Sequence, residues 1–452
     1  MSTFALNKKH KTMRRTFIIL STLFLTLCPV LGQGVVDIVF SDTKATYNIP
    51  DSVKGVTIGK NKAKVTVVNT NTEKEYTFRV SGESSNGSLT ITSGYKLTLE
   101  LAGLTLANTS SGAAIDVQCG KRIDIVIDSA TVNTLSDSGK GSQKGALNIE
   151  GHAEFKGAGT LNVTGNLKHA IYVDEYCELK KSTGTINILG AVSDGIHCGE
   201  GKVRDENNYF RMSGGTLNIA GTGGDGIDAD DYSVILIDNG VVNISVGDDN
   251  IGLKADSTVT ISGGTINIDV PGTDSKAIRS NHTVNISGGT TTLTVSGDGS
   301  KGIKANRYAT GSTVLNGGYI YISGGETSIS VTGGNYITTT DGVADTTKCM
   351  GISVDADMVQ TGGTVTITTS GDEAKGYNVK GTETRTGGTL TVVGDATVVG
   401  DVNGDGSVDV ADISAIITMM AEGTESDAAD VNGDGSVDVA DISAVITIMA
   451  NS

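Results

Sequence analysis

The sequence predicts an all-β chain, a right-handed parallel β-helix of about 25-residue coils followed by a small α-helical unit built on a duplicated loop. Three observations predict it. A short motif, small–aliphatic–polar–aliphatic or small, recurs from AIDV (114–117) through GIDA (226–229), GLKA (252–255), AIRS (277–280) and GIKA (302–305) to GYNV (376–379), with a modal step of 25 residues. A second motif keeps phase with it, as in GTLNV (159–163), GTINI (184–188), GTLNI (215–219) and GTINI (264–268). The chain then ends on two nearly identical acidic stretches, DVNGDGSVDVADISAIITMM (401–420) and DVNGDGSVDVADISAVITIM (430–449).

Each period holds three short runs of alternating apolar and polar residues, the third of the type VILI (234–237) or TVTI (258–261). Alternation of that kind marks strands, and Gly, Asp, Asn and Ser fill the corners, where positive φ is often needed. A single period cannot bury its own apolar stripe, so it stacks on its neighbours, which is the logic of a solenoid. An antiparallel sandwich has no reason for an in-phase period of this length. The 49-residue step between GIKA and GISV (351–354) reads as two periods.

Composition agrees. The 452 residues include 62 Gly, 3 Pro and no Trp, with only 4% aromatics, as in a turn-rich β chain. The formal charge of −17 argues against nucleic acid, whose phosphates need basic patches. Lys8, Lys9, Lys11, Arg14 and Arg15 precede the apolar run FIILSTLFLTL (17–27), which is too short to span a bilayer, with small residues near position 32. This reads as a secretory signal peptide over 1–32, with translation starting at Met1 or Met13, and no later run is long enough to cross a membrane. Residues 33–84 read as a β cap, 85–397 as the stacked domain and 398–452 as the terminal module. Cys119, Cys177, Cys198 and Cys349 lack zinc spacing and read as buried thiols, with a Cys177–Cys198 bond left open.

Stacking decides which side chains face out. The third motif position gives the row Asp116, Asn148, Tyr172, His197, Asp228, Lys254, Arg279, Lys304, Ser353 and Asn378. Two residues on, a second row runs Gln118, Glu150, Asp174, Gly199, Asp230, Asp256, Asn281, Asn306, Asp355 and Lys380. With the small first position also taken as outward, these rows form a shallow trough suited to an extended polymer. Lys254, Arg279 and Lys304 make a cationic stripe beside Asp225, Asp228, Asp230, Asp231, Asp248, Asp249 and Asp256. Oxygen ligands at that density suit calcium. The expected polymer contacts are Asp228, Lys254, Arg279, Lys304, Asp230 and Asp256. GDGSKG (297–302) has the glycine spacing of a dinucleotide loop but no helix after it, so it is read as a corner.

The run LELAGLTLANTSSGAAIDVQCGKRIDIVI, then TVNTLSD and repeated SGGTINI and DGIKA-like units, resembles the secreted bacterial carbohydrate-binding β-helices over about residues 85–395. That family is similar in fold to calcium-dependent pectate lyases. The resemblance implies calcium in the stack and recognition of plant cell-wall polysaccharide, pectic polymers especially. Two readings compete with a binding protein. One is a lyase acting by β-elimination, with Arg279 as base flanked by Lys254 and Lys304. The other is a structural surface protein whose rows bind nothing.

At the C-terminus, Asp401, Asn403, Asp405, Ser407, Asp409 and Asp412 occupy loop positions 1, 3, 5, 7, 9 and 12, with Gly406 at the sharp turn. This is EF-hand spacing with Asp in place of the last Glu. Asp430, Asn432, Asp434, Ser436, Asp438 and Asp441 repeat it 29 residues later, which predicts two calcium ions. ISAIITMM and ISAVITIM read as amphipathic helices after each loop. The unit resembles a type I dockerin, which implies a cohesin as partner, docking through a helix face in either of two orientations. Val410-Ala411 and Val439-Ala440 stand where dockerins often carry Ser or Thr, which implies a more apolar interface or a different partner specificity.

Overall fold

The computed structural model describes residues 34–451 except 200–207, 231, 311–312, 341–342, 395–398, 404–406, 425 and 427. The signal peptide expected over 1–32 lies outside the described residues. Among the described residues, no helix is long and apolar enough to cross a membrane.

The repeat dictates register. The strand Ile251–Ala255 pairs in parallel with Lys276–Ser280, which pairs with Lys301–Ala305, so Lys254 stands opposite Arg279 and Arg279 opposite Lys304. Among the described residues, thirteen strands, ten of them carrying the motif, form one sheet, and twenty others form a second. The predicted right-handed β-helix, with three separate strands in every coil, is corrected by the way the larger sheet is joined. Leu97–Ala107 pairs with both Arg122–Ile127 and Val132–Ser136, and Thr283–Val295 pairs with both Thr258–Ile261 and Thr265–Val270. The two ladders therefore meet at both ends and close into a barrel of 14 strands, all paired in parallel. The physical reason lies at glycine corners. Gly103 and Gly289 take positive φ and bend the chain without ending the strand, so what reads as two strands is one.

The 49-residue step is also corrected. Lys301–Ala305 pairs directly with Met350–Val354, so one period separates them. The extra length forms two inserted antiparallel hairpins, Arg307–Thr310 with Thr313–Gly317 and Tyr336–Thr340 with Val343–Thr347. At the N-terminus, Val35–Ser41 runs antiparallel to Lys44–Asn48 and parallel to Tyr76–Ser84, and Val56–Asn61 runs antiparallel to Lys64–Asn69. These hairpin strands begin both sheets and turn away pairing with other chains at that end.

One continuous core fills the interior. Ile227, Ile244, Ile268, Ile278 and Ile303 are buried, as are Phe78, Phe155 and Phe210. Burying an Ile or Phe side chain is worth about 1.5–3 kcal/mol, so stacked rows of them are the main source of stability. The small motif position belongs to this core. A Cβ on Gly252 would lie 2.7 Å from Ile268 Cγ2, and one on Gly226 2.8 Å from Ile244 Cγ2. The expected outward row of tiny residues, and with it the trough floor, is overturned: these positions are small because an isoleucine from the other sheet abuts them. All four described cysteines are buried and free, Cys177 and Cys198 included.

The terminal module has its own core of Val402, Ile416, Ala429 and Val445. Helices α1 (Val410–Glu422) and α2 (Val439–Asn451) follow the two loops, as the periodicity predicts. Asp409 caps α1 in a capping box with Asp412, and Gly423 ends it in the left-handed conformation.

Candidate functional site

The row survives the correction of the fold because it rests on register alone, but it does not face outward throughout: Asp116, Asn148, Tyr172, His197, Asp228 and Ser353 are buried, and Lys254, Arg279, Lys304 and Asn378 are half-buried. Asp116 stands opposite Asn148, Asn148 opposite Tyr172, Tyr172 opposite His197, His197 opposite Asp228 and Asp228 opposite Lys254. Arg279, Lys304, Ser353 and Asn378 continue it.

Charges along the row are mostly matched. Lys254 Nζ lies 2.9 Å from Asp228 and 3.2 Å from Asp225. Burial opposes the lysine's charge, but Asp228 and Asp225 outweigh it and hold the pKa above its ordinary value. Asp225 goes the other way, pushed up to about 6 by burial, relieved in part by Lys254 and reinforced by Asp228 and Asp194. Lys304 lies 2.8 Å from Asp355, yet burial still draws it below its usual range. Arg279 differs. Its Nη2 donates to Asn281 Oδ1 at 3.1 Å, its Nε is buried without a hydrogen-bond partner, and it has no ion pair among the described residues.

Sequence reasoning missed two groups here. Lys276 and Lys301 form a second cationic row, opposite each other and three residues before Arg279 and Lys304 on the same strands. Lys276 is matched by Asp274 at 2.9 Å, whereas Lys301 donates to the Gly299 carbonyl at 3.0 Å and has no ion pair among the described residues. Burial, with Lys276 nearby, lowers the Lys301 amine to about 8. These lysines lie before the motif, so reading the motif alone passes over them. The second group is buried: His169 Nδ1 lies 3.0 Å and His197 Nδ1 3.2 Å from Asp194 Oδ2. His197 in turn lies 3.4 Å from Asp228.

The aspartates read as a calcium cluster are not all brought together. Asp225 and Asp228 share Lys254, Asp256 accepts from Asn281, and Asp248 binds Thr273 at another corner. Asp231 lies outside the described residues. Toward the N-terminal end of the row, a polar pocket of about 410 Å³ is lined by Asp116, Asn148, Glu150, Tyr172 and Asp174. There Tyr172 OH donates to Asp174 at 2.9 Å.

In the terminal module both loops are built for oxygen ligation. Asp412 and Asp441 are fully buried, and each is fixed by backbone N–H groups: Val402, Asn403 and Asp409 for the first, Asn432 and Asp438 for the second. Asp430, Asn432 and Asp434 turn side-chain oxygens onto N–H groups of their own loop. Asp401 lies 3.8 Å from Lys375 of the repeat domain. Asp405 is outside the described residues. Hard oxygens gathered in this order fit calcium. Outside the loops, Val410, Ile417, Val439 and Ile446 are exposed, paired by the 29-residue repeat.

The model of carbohydrate-binding domain-containing proteins matches residues 61–322. The chain belongs to that family. A second model, the type I dockerin domain, matches residues 399–449, so this carbohydrate-binding protein ends in a type I dockerin. Type I dockerins generally bind calcium and pair with cohesins. No curated protein matches the chain. Among solved structures, the polysaccharide lyase-like protein from C. thermocellum, in a gadolinium derivative, is similar at 17% identity and a TM-score of 0.30, covering 79% of this chain and 97% of that one.

Proposed function

We propose that this is an exported protein that binds an acidic plant cell-wall polysaccharide, of the pectic uronate type, and is tethered through its calcium-loaded dockerin to a cohesin-bearing partner. The observation that carries the reading is Arg279. It is the basic member of the row with no ion pair among the described residues, and it stands between Lys254 and Lys304, each already matched by aspartate. A guanidinium in that position has a natural partner in a carboxylate, which it grips through two parallel N–H groups.

Lys254, Arg279 and Lys304 then face successive sugars of an extended chain, one strand spacing apart, with Asp228, Asp230 and Asp256 beside them for hydroxyls or bridging calcium. In the dockerin, Asp401, Asn403, Asp405, Ser407, Asp409 and Asp412 hold one ion and Asp430, Asn432, Asp434, Ser436, Asp438 and Asp441 a second. Calcium supplies the charge that balances the crowded carboxylates. The chain's own part is to fix Asp412 and Asp441 by backbone N–H groups at the start of each helix, so loop order and helix order are one event.

Affinity electrophoresis through polygalacturonate, with and without calcium and stained afterwards for polymer, tests this. Retardation over an intact polymer background, lost in Arg279→Gln, is expected. A cleared track would replace the binding reading with a lyase. Free migration in both conditions would sink the uronate assignment.

A further inference from the structure

The two calcium loops are identical in sequence, DVNGDGSVDVAD at 401–412 and again at 430–441. Identical ligands in identical order would bind calcium equally well. The structure gives the two loops different neighbours. Lys375 opens the strand Lys375–Val379, the last of the smaller sheet, and its Nζ lies 3.8 Å from Asp401, the residue at position 1 of the first loop. Asp430 holds the same position in the second loop. Its two carboxylate oxygens turn onto its own loop, accepting from the N–H groups of Asp434 at 3.0 Å and Gly435 at 2.8 Å, and it is in no ion pair among the described residues.

Register and burial give the contact its weight. Lys375 continues the row Lys276, Lys301 and Met350, and its backbone N–H donates to the Cys349 carbonyl at 3.0 Å, so its place at the end of the repeat domain is fixed. The side chains of Lys375 and Asp401 are 12% and 7% exposed. Water therefore screens this pair far less than it screens a surface pair. The tether is short. Asp401 follows Val393, the end of the last strand of the larger sheet, by eight residues, a reach of at most about 28 Å. The first loop thus meets Lys375 at high effective concentration.

We propose that Lys375 makes the two loops unequal: by pairing with Asp401 it holds the first loop against the end of the repeat domain and weakens calcium binding there relative to the second loop. The reason is competition for one carboxylate. In the calcium-free chain the charge of Asp401 is matched by the ammonium of Lys375. A divalent ion at this loop draws on the same carboxylate and adds two positive charges beside one already in place. At Asp430 calcium displaces no cation, since the N–H groups there carry only partial charge. The second loop therefore fills first. Linkage makes the effect reciprocal: calcium in the first loop weakens the hold of Lys375 on Asp401 by the factor by which Lys375 weakens calcium. The dockerin is thus drawn to the repeat domain at low calcium and released at high calcium. This inference rests on the calcium-loaded dockerin of the proposed function and goes beyond it, because nothing in the loops' own residues distinguishes them.

The test titrates the full chain, stripped of calcium with EDTA and dialysed, with calcium chloride in a calorimeter. The parent is expected to bind two ions with dissociation constants about tenfold or more apart, a usual size for coupling between sites. Asp401→Asn should remove the weaker step and Asp430→Asn the stronger. Lys375→Met should bring the two constants to near equality. Met suits this place, since Met350 occupies the equivalent position on the neighbouring strand. Lys375→Arg keeps the charge and should keep the inequality. The proposal is overturned if the parent's two sites are equal, if the weaker step belongs to Asp430, or if Lys375→Met leaves the gap as it was. Absence of any calcium binding would overturn the dockerin reading and this inference with it, whereas two equal sites would overturn this inference alone.

Discussion

Replacing Asp194 by Asn removes one negative charge from a site that holds two stacked imidazoles. The His169 and His197 rings lie 4.4 Å apart, and both direct Nδ1 at Asp194 Oδ2. Two imidazolium ions at that distance repel each other, so one proton is held. Burial opposes charge on His197, but Asp194 and Asp228 outweigh it and raise the pKa from 6.5 to about 9. His169 is lowered by burial in spite of Asp194, with the charge of His197 adding to the effect. A rise from 6.5 to about 9, at 1.36 kcal/mol per unit, is on the order of 3 kcal/mol of stability. Breaking a buried ion pair by removing one partner costs a similar amount, about 3–5 kcal/mol. The sign follows from the raised pKa. The contribution is complete below pH 6.5 and is lost as pH rises through about 9. Asp194 itself has its carboxyl held well below the ordinary range; burial works against this, and the bonds from the two histidines prevail. Its contribution is present above the unfolded value of 3.8 and is lost as pH falls below it. Urea unfolding of parent and Asp194→Asn at pH 4, 6, 8 and 10 should therefore show the largest gap near pH 6, narrowing by pH 10. A gap that stayed constant from pH 6 to 10 would refute the charge argument and leave only lost hydrogen bonds.

Three further outcomes are expected. Gly252→Ala places a methyl 2.7 Å from Ile268 Cγ2 and 2.6 Å from the Ala277 carbonyl, and overpacking of that kind costs about 1–3 kcal/mol, read as a lowered thermal midpoint. Asp412→Ala with Asp441→Ala should abolish the calcium-induced gain of helix in circular dichroism and any cohesin binding, while polygalacturonate retardation persists. Loss of both activities would disprove independent modules. Arg279→Lys keeps the charge but not the two-pronged grip, so uronate affinity should fall severalfold, whereas retention of full affinity would mean that charge alone matters.

How much of this was legible in the sequence differs by residue. The row from Asp116 to Asn378 was legible because parallel pairing at a constant period puts equivalent residues side by side, whatever path the chain takes between them. The dockerin loops were legible because ligand order is written in consecutive residues. The small motif position was not, and the reason is geometric. Strand alternation assumes that neighbours point to opposite faces, but Ile251, Gly252 and Leu253 are buried in succession within one strand. A Cβ at Gly252 would meet the core even though the next side chain, Leu253, is also buried. The same blindness hid the barrel closure, since Gly288 and Gly289, which look like a corner between strands, lie inside the single strand Thr283–Val295, where pairing shifts register and resumes at Thr290. His169 and Asp194 lie before or outside the motif, and nothing in their spacing announces a shared proton.

A chain with a net charge of −17 would seem a poor receptor for a polyanion. The range of the forces resolves this. At physiological salt the screening length is about 8 Å, so a bound carboxylate responds to the few groups within that distance and hardly to the total. Around Arg279 stand Lys254, Lys276, Lys301 and Lys304 on the same or adjacent strands, with Asp256 as a nearby acid; the aspartates that match Lys254, Lys276 and Lys304 leave Arg279 and Lys301 without an ion pair among the described residues. Net charge still acts at long range, where it slows approach of a polyuronate. Salt should therefore have two opposed effects, faster association as the distant repulsion is screened and faster dissociation as the contact with Arg279 weakens.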